Sequence, residues 1–101
     1  MKLKTIYHSE SQLEKIFCEK IKKLGGLPLK FVSPGRAGVP DRIILLPGGK
    51  FYFVEMKNEI GKTSIIQEYI FEKFAKLGFK VQIINSVESM KNFLSGIENE
   101  I

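Results

Sequence analysis

The chain has 101 residues, of which 44% are hydrophobic and 27% charged, with 16 lysines and arginines against 11 aspartates and glutamates. This length predicts one domain, residues 1–101, with a single core. No apolar run approaches the roughly 18 residues of a membrane span, and the first ten residues lack the apolar stretch of a signal peptide. The formal charge of +5 permits a polyanionic partner without proving one.

The metal-binding and redox residues are few. A single cysteine, Cys18, cannot form an internal disulfide or a zinc site, so a reducing cytosol is the expected setting. His8 is the only histidine, which argues against zinc catalysis and against nuclease sites built on several imidazoles.

The first predicted helix begins after a capping box, in which Ser9 is the N-cap and Gln12 the third helical residue. Apolar residues then recur at helical spacing up to Gly25-Gly26, where the helix is expected to end. Glu10 and Glu14 lie one turn apart on the shoulder of the apolar stripe. From there a carboxylate can reach the edge of a sheet and remain accessible to solvent or metal.

A short strand, Leu29–Val32, is predicted next, followed by a glycine-rich loop at residues 33–38 that contains Arg36. Such loops can offer backbone N–H groups to phosphate. This one lacks the Gly-Lys-Ser/Thr ending of a P-loop and no helix follows it. It is either an ordinary connection or a phosphate contact through Arg36.

Two apolar runs, Arg42–Leu46 and Phe51–Met56, flank the turn Pro47-Gly48-Gly49 and predict a β-hairpin. Antiparallel pairing about this turn brings Asp41, before the first strand, beside Glu55 and Lys57 at the end of the second. Ionised groups at a covered sheet are costly unless they are compensated. The trio is either a functional site or a rim ion pair between Asp41 and Lys57, which would contribute little stability.

A polar bend over Asn58–Lys62 precedes a second helix, which has Ser64 as N-cap and Gln67 as capping partner and ends at Gly78. Its inner face is predicted to consist of Ile66, Ile70, Phe74 and Leu77. Capping alone explains Gln67, and a second role at the sheet would compete for the same rotamer.

The remaining elements are a strand over Lys80–Asn85 and a short helix over Ser86–Leu94, with a tail that frays from about residue 96. The order α-β-β-β-α-β-α, with a crossover helix that returns to the sheet, indicates an α/β fold with a mixed sheet flanked by helices.

Pro40-Asp41 followed by Glu55-Met56-Lys57 on the next strand resembles the PD-(D/E)XK nuclease signature. More narrowly, the run LKFVSPGRAGVPDRIILLPGGKFYFVEMK resembles the VRR-NUC family, the virus-type replication-repair nuclease domain. The resemblance extends from about Ser9 to Ser86. It implies a restriction-endonuclease-like core and a DNA nuclease of a bacterium or phage-infected cell, acting in DNA repair.

The chemistry of the carboxylates agrees with that resemblance. Asp41 and Glu55 about 5 Å apart would repel by roughly 3 kcal/mol at an effective dielectric near 20. Mg²⁺ or Mn²⁺ would remove this repulsion, since hard cations prefer carboxylate oxygens, water and phosphate. The backbone carbonyl of Met56 can add a neutral ligand. Glu14, and less favourably Glu10, would complete the shell, directly or through water, for one ion or two.

Lys57 stands two residues after Glu55 and therefore on the same face of the strand. It can orient or help deprotonate an attacking water, or stabilise negative charge on the phosphate. In the resembled family, a glutamine at the place of Gln67 lines the active site. Expected contacts to DNA are the basic side chains of Arg36, Lys30, Arg42 and Lys62.

These residues predict a divalent-metal-dependent endonuclease. The resemblance extends the prediction to branched DNA such as Holliday junctions. One alternative is a nucleic-acid-binding module that keeps the fold without cleaving. Loss of Asp41, Glu55 or Lys57 would indicate such a module, and all three residues are present. The other is a sequence-specific restriction-type nuclease, for which 101 residues leave little room beside the core.

A homodimer is also expected, because two active sites related by a twofold axis would match the twofold symmetry of a four-way DNA junction. The chain has more apolar surface than the predicted core requires, in the aromatic residues Phe51, Tyr52, Phe53, Tyr69, Phe71 and Phe79. Ile65, Tyr69 and Phe71 do not all fit the inner stripe of the second helix, so some of them are either exposed in a monomer or covered by a partner. Exposed contiguous aromatic side chains mark interaction surfaces.

Overall fold

The computed structural model describes residues 9–58 and 61–99, and in them three helices and four strands follow the predicted order α-β-β-β-α-β-α. The elements are α1 (Glu10–Lys23), β1 (Leu27–Lys30), β2 (Arg42–Leu46), β3 (Lys50–Met56), α2 (Ile65–Lys76), β4 (Val81–Ile84) and α3 (Val87–Glu98). The α/β architecture predicted from the sequence is confirmed.

The four strands form one mixed sheet in the order β1-β2-β3-β4. The first three pair antiparallel, and β4 pairs parallel to β3 after the crossover through α2. The hairpin turn between β2 and β3 has positive φ at Gly48 (85°) and Gly49 (77°), a conformation that glycine adopts without steric cost. The register that starts at this turn pairs Arg42 with Val54 at the open end of the hairpin.

The main core fills the space between one sheet face and helices α1 and α3. Alternating residues of the hairpin, including Ile44, Val54 and Met56, contribute side chains that are fully buried. Two sets of side chains pack against them on this face of the sheet: Leu13, Phe17 and Ile21 of α1, and Met90, Phe93, Leu94 and Ile97 of α3. Because side chains alternate along a strand, the intervening residues face the opposite side.

Helix α2 packs on that opposite face. The ring of Phe53 lies 4.9 Å from that of Phe74, centroid to centroid, and Ile70 is buried. The predicted inner stripe of α2 is only half right, since Ile66 is 50% exposed and Leu77 is 75% exposed. The apolar stripe of α2 is wider than the strip of sheet that it covers.

Two element boundaries also differ from the prediction. Strand β1 begins earlier, at Leu27, because Leu27 pairs with Leu45 of β2, whereas Val32 lies beyond the strand and is exposed. Helix α3 continues past Leu94 to Glu98, since Ile97 is buried in the core and holds the last turn in place. The predicted fraying from about residue 96 is wrong over residues 96–98, which belong to α3, and the last two residues of the predicted tail lie outside the described residues, as does part of the predicted bend over Asn58–Lys62.

Within the described part of the chain, no helix has the length and apolar character needed to cross a membrane.

Candidate active site

Two hydrogen bonds join Asp41 to the segment Glu55-Met56 at the open end of the hairpin. The backbone N–H of Asp41 donates to Glu55 Oε1 at 3.1 Å. The backbone N–H of Met56 donates to Asp41 Oδ1 at 3.2 Å. Each strand therefore fixes the carboxylate of the other, and the predicted adjacency of the two acids is present in the structure.

The environment of Asp41 disfavours its charged form. Burial is the largest cause and the neighbouring Glu55 carboxylate the second, and together they raise the pKa of Asp41 to about 6. Glu14 and Glu10 raise it further, whereas the hydrogen bond from the Met56 amide lowers it. Two acidic groups thus share a confined space, and the proton is held more tightly at Asp41 than in water.

Lys57 forms an ion pair with Glu55 rather than with Asp41. Its Nζ lies 3.2 Å from Glu55 Oε2, and the side chains of Lys57 and Glu55 are 18% and 5% exposed. The rim pair between Asp41 and Lys57, the alternative open at the sequence level, is therefore not the arrangement found. Lys57 instead stands on the face of β3 that holds Glu55, as strand alternation predicts.

Gln67 fills two roles with one rotamer, contrary to the expectation that they would compete. Its Oε1 accepts from the Ser64 backbone N–H at 3.2 Å and closes the capping box of α2. Its Nε2 donates to Glu55 Oε2 at 2.9 Å. The expectation was wrong because a side-chain amide has an acceptor at one atom and donors at the other.

Arg42 and Glu14 form an ion pair on the α1 side of the sheet. The Nε and Nη2 atoms of Arg42 lie 2.9 and 2.8 Å from Glu14 Oε2, and Nη1 donates to the Pro28 carbonyl at 3.0 Å. Arg42 is only 9% exposed. Its predicted role as a DNA contact is therefore wrong, because its guanidinium is committed inside the protein.

This pair was missed at the sequence level, although a signal was present. Arg42 alternates with Ile44 and Leu46, which places its side chain on the buried face and calls for a carboxylate partner there. Glu14 is that partner. It lies near enough to Asp41 to influence the pKa of that residue, but its Oε2 faces Arg42.

The loop before Asp41 packs directly on α2 through Gly38. This glycine has φ of 87°, and a Cβ at its position would lie 2.9 Å from the Ile66 carbonyl oxygen and 3.0 Å from Ile70 Cγ1. A larger residue would push the loop away from the helix. Gly38 thus helps to bring the segment with Asp41 against the helix that carries Gln67.

The other predicted basic contacts, Lys30, Arg36 and Lys62, are exposed. The backbone N–H of Arg36 donates to the Ser33 carbonyl at 3.1 Å, which forms a turn in the loop after β1. Solvent-facing cations at these positions remain available to a phosphate backbone.

Among residues 9–58 and 61–99, no three histidine, cysteine, aspartate or glutamate side chains gather as a metal cluster. The adjacent pair does fit a hard cation, because the acids of Asp41 and Glu55 share a confined site and the pKa of Asp41 is raised in it. The N–H of Met56 points towards Asp41, and in an extended strand the carbonyl of the same residue lies on the same side. The donor set is therefore two carboxylates and one carbonyl.

Known proteins are similar to this chain in fold and in sequence. A solved structure of a VRR_NUC domain superposes with a TM-score of 0.79 and 31% sequence identity, covering 87% of this chain and 97% of that one. A relative named "Putative nuclease p44", from Acyrthosiphon pisum secondary endosymbiont phage 1, is 42% identical over 77 residues, which are 76% of this chain and 83% of the relative. No family model matches the chain.

The mixed sheet, with Asp41 before one strand and Glu55 and Lys57 ending the next, defines a nuclease of the PD-(D/E)XK class. This class uses divalent metal ions in general, and its substrate is nucleic acid. Within it, the chain belongs to the VRR-NUC family.

Proposed function

We propose that this chain is a Mg²⁺- or Mn²⁺-dependent endodeoxyribonuclease that hydrolyses phosphodiester bonds in branched DNA such as Holliday junctions. The observation that carries the proposal is the cluster at the open end of the hairpin. There Glu55 binds Lys57 and Gln67 through one oxygen and the Asp41 backbone through the other.

The metal would be held by the carboxylates of Asp41 and Glu55 and by the backbone carbonyl of Met56. When bound, a divalent cation lowers the pKa of a water ligand and neutralises charge that develops on the phosphate. Glu14 would act through water, because its carboxylate is engaged by Arg42. Glu10 is exposed in the first turn of α1 and is the less favoured candidate.

Lys57 is the proposed cation beside the reacting phosphate. Its Nζ is fixed by Glu55 Oε2 and is partly exposed, so it can orient the attacking water or steady negative charge on the phosphate. Gln67 would hold Glu55 in position through its 2.9 Å hydrogen bond. Of the two, only Lys57 would contact the reacting groups.

DNA would lie across the open end of the hairpin, against the exposed side chains of Arg36, Lys30 and Lys62. Contacts of this kind are made to the phosphate backbone and carry no sequence information. They suit an enzyme that selects DNA by its shape. The choice of branched DNA comes from the resemblance to the VRR-NUC family and to related Holliday-junction resolvases.

The proposal includes a homodimer that acts on DNA in the cytoplasm of a bacterium or phage-infected cell. Two sites related by a twofold axis would match the symmetry of a four-way junction. The nuclease from a phage is the relative that supports this setting.

The test is cleavage of labelled duplex, flap and four-way-junction DNA by the purified protein, with Mg²⁺, with Mn²⁺ or with EDTA. We expect cleavage with either metal and none with EDTA, with the junction cut fastest. Equal cleavage of all three substrates would remove the preference for branched DNA and leave the nuclease activity standing.

A further inference from the structure

The guanidinium of Arg42 is anchored on two other elements at once. Its Nε and Nη2 atoms meet the same oxygen of Glu14 on α1, Oε2, at 2.9 and 2.8 Å. Its Nη1 atom donates to the carbonyl of Pro28 on β1 at 3.0 Å. The planar group starts on β2 and spans α1 and β1, so its orientation is fixed, and so is that of the carboxylate that it binds.

This contact engages only half of the Glu14 carboxylate. Among the residues that the structure describes, none donates a hydrogen bond to Glu14 Oε1. The side chain of Glu14 is 25% exposed and that of Arg42 11%, so solvent reaches the acid more readily than the base. A carboxylate oxygen without a protein donor keeps its capacity to accept from water. Glu14 therefore presents one fixed and uncommitted acceptor.

That acceptor belongs to the surroundings of Asp41. The charge of Glu14 contributes to the raised pKa of Asp41, so the two acids act on each other. Arg42 directly follows Asp41 in the chain and is paired in the sheet on both sides. The Asp41 carbonyl accepts from the Phe31 N–H at 2.9 Å, which holds the backbone just before it. The strand end that carries Asp41 thus also carries the group that holds Glu14.

Stability alone does not explain a buried arginine at this position. The attraction within a buried ion pair often fails to offset its desolvation, and an apolar side chain of similar volume is often at least as stabilising. Ile44 and Leu46, the next residues on the same face of β2, are apolar and buried. Methionine at position 42 would continue that row. Arginine instead fixes a carboxylate beside the active site.

We infer that Arg42 is a positioning residue for phosphodiester cleavage, which holds Glu14 by one oxygen and leaves the other to accept from water beside Asp41. Arg42 itself contacts neither DNA nor metal, because its guanidinium is committed to Glu14 and Pro28. The inference rests on the proposed metal-dependent nuclease and adds the residue that orients its more distant carboxylate. Loss of such a supporting partner typically costs about ten- to a hundredfold in activity or metal affinity.

The experiment is a double-mutant cycle of Arg42→Met and Glu14→Gln, scored by cleavage of the DNA that the unaltered chain cuts fastest. Arg42→Met should slow cleavage about tenfold or more, because Glu14 is then free to rotate. In the Glu14→Gln background the same substitution should cost less than about twofold, because Arg42 acts only through Glu14. Circular dichroism verifies that each variant is folded under the assay conditions.

Binding of Mn²⁺ to the DNA-free protein, measured by titration calorimetry, gives a readout that does not depend on turnover. Arg42→Met removes a positive charge and should bind Mn²⁺ as tightly as the unaltered chain or more tightly. Glu14→Gln removes a negative charge and should bind it more weakly. The cleavage loss of Arg42→Met should therefore persist at saturating metal, which general damage to the metal site would not produce.

Leu94→Ala is the control for lost stability. Leu94 is 8% exposed in the core and lies about two helical turns from the start of α3. The substitution should lower the thermal midpoint, because it leaves a cavity. It should change neither Mn²⁺ binding nor the cleavage rate of the folded protein.

Arg42→Lys tests whether charge alone is sufficient, and it keeps the inference testable if Arg42→Met does not fold. Lysine retains the positive charge beside Glu14, but one ammonium group does not reproduce the planar fork that also binds the Pro28 carbonyl. We expect a folded protein that cleaves more slowly than the unaltered chain.

Three outcomes would overturn the role of Arg42 in a chain that cuts DNA with Mg²⁺. They are normal cleavage by folded Arg42→Lys, single-variant rate losses that multiply in the double variant, and a weakened Mn²⁺ affinity in Arg42→Met whose rate recovers at saturating metal. An unaltered chain that cuts no DNA with either metal would instead overturn the proposed function, and the role of Arg42 with it.

Discussion

Gln67 donates from Nε2 to Glu55 Oε2 at 2.9 Å while its Oε1 caps the Ser64 backbone, so one amide links the start of α2 to the proposed metal-binding carboxylate. The geometry of the capping box is thereby coupled to that of the active site. A change at the Gln67 amide should therefore affect Glu55.

Substitutions at Ser64 and Gln67 can separate capping from positioning. Ser64→Ala removes the hydroxyl that accepts the Gln67 N–H, and we expect a loss of about 1 kcal/mol in the free energy of unfolding with cleavage nearly unchanged. Gln67→Leu should cost a similar amount and also slow cleavage at least tenfold, because Glu55 loses a donor. Urea denaturation and initial cleavage rates measure the two effects. Equal rate losses in both variants would mean that capping alone explains Gln67.

Glu14 should matter to stability as well as to rate. Glu14→Gln weakens a pair in which Arg42 is 9% exposed, and we expect a loss on the order of 2 kcal/mol by urea denaturation. Glu10→Gln is the control, because an exposed acid in a first helical turn contributes less than about 1 kcal/mol.

The cleavage rates of the same two variants test the metal-shell role of Glu14. A large rate loss is expected for Glu14→Gln and a small one for Glu10→Gln, measured where both variants remain folded. A folded Glu14→Gln protein that cleaves at the normal rate would restrict Glu14 to its ion pair with Arg42.

How much of this arrangement the sequence predicts depends on the range of the interaction. The hairpin turn and strand alternation set the register, so the proximity of Asp41 to Glu55 followed from local patterns. The two roles of Gln67 did not follow from local patterns, because capping was expected to occupy the whole side-chain amide. The exposure of Leu77 and Ile66 was also missed, since helical spacing gives the width of an apolar stripe and not which part of it the sheet covers.

Arg42 illustrates a different limit. Its charge suggested a surface contact to DNA, whereas its alternation with Ile44 placed it in the interior. The partner that makes burial tolerable, Glu14, lies 28 residues earlier on another element, and only the packing of α1 on the sheet brings the two together.

The raised pKa of Asp41 predicts how stability depends on pH in the absence of metal. Its pKa is about 6 in the folded chain and about 3.8 when unperturbed, as in the unfolded chain. The folded state therefore binds the proton more tightly, and this residue lowers the free energy of unfolding as pH rises from about 4 to 6. Asp41→Asn removes the effect, so the stability of the variant relative to the unaltered chain should increase over that interval and level off above it.

Urea denaturation in EDTA at several pH values between 4 and 8, on both proteins, measures this difference and cancels the titration of groups that do not interact with Asp41. Parallel pH profiles for the two proteins would mean that Asp41 is not the group disfavoured by burial and by Glu55.

Gly38 should be intolerant of a side chain. Gly38→Ala places a Cβ against the Ile66 carbonyl at a backbone φ of 87°, and we expect a loss of about 2 kcal/mol or more in the free energy of unfolding. Gly35→Ala is the control in the same loop, because a Cβ there meets nothing within 4 Å. Similar stabilities of the two variants, by thermal denaturation, would contradict the close approach of this loop to α2.

The most direct test of the central claim is cleavage of a labelled four-way junction in Mg²⁺ by the unaltered chain and by Asp41→Asn and Glu55→Gln. The account predicts that both substitutions reduce cleavage at least a thousandfold while circular dichroism and DNA binding persist, because binding rests on lysine and arginine contacts to phosphate. Cleavage that persists in either folded variant would contradict it and move the metal site elsewhere.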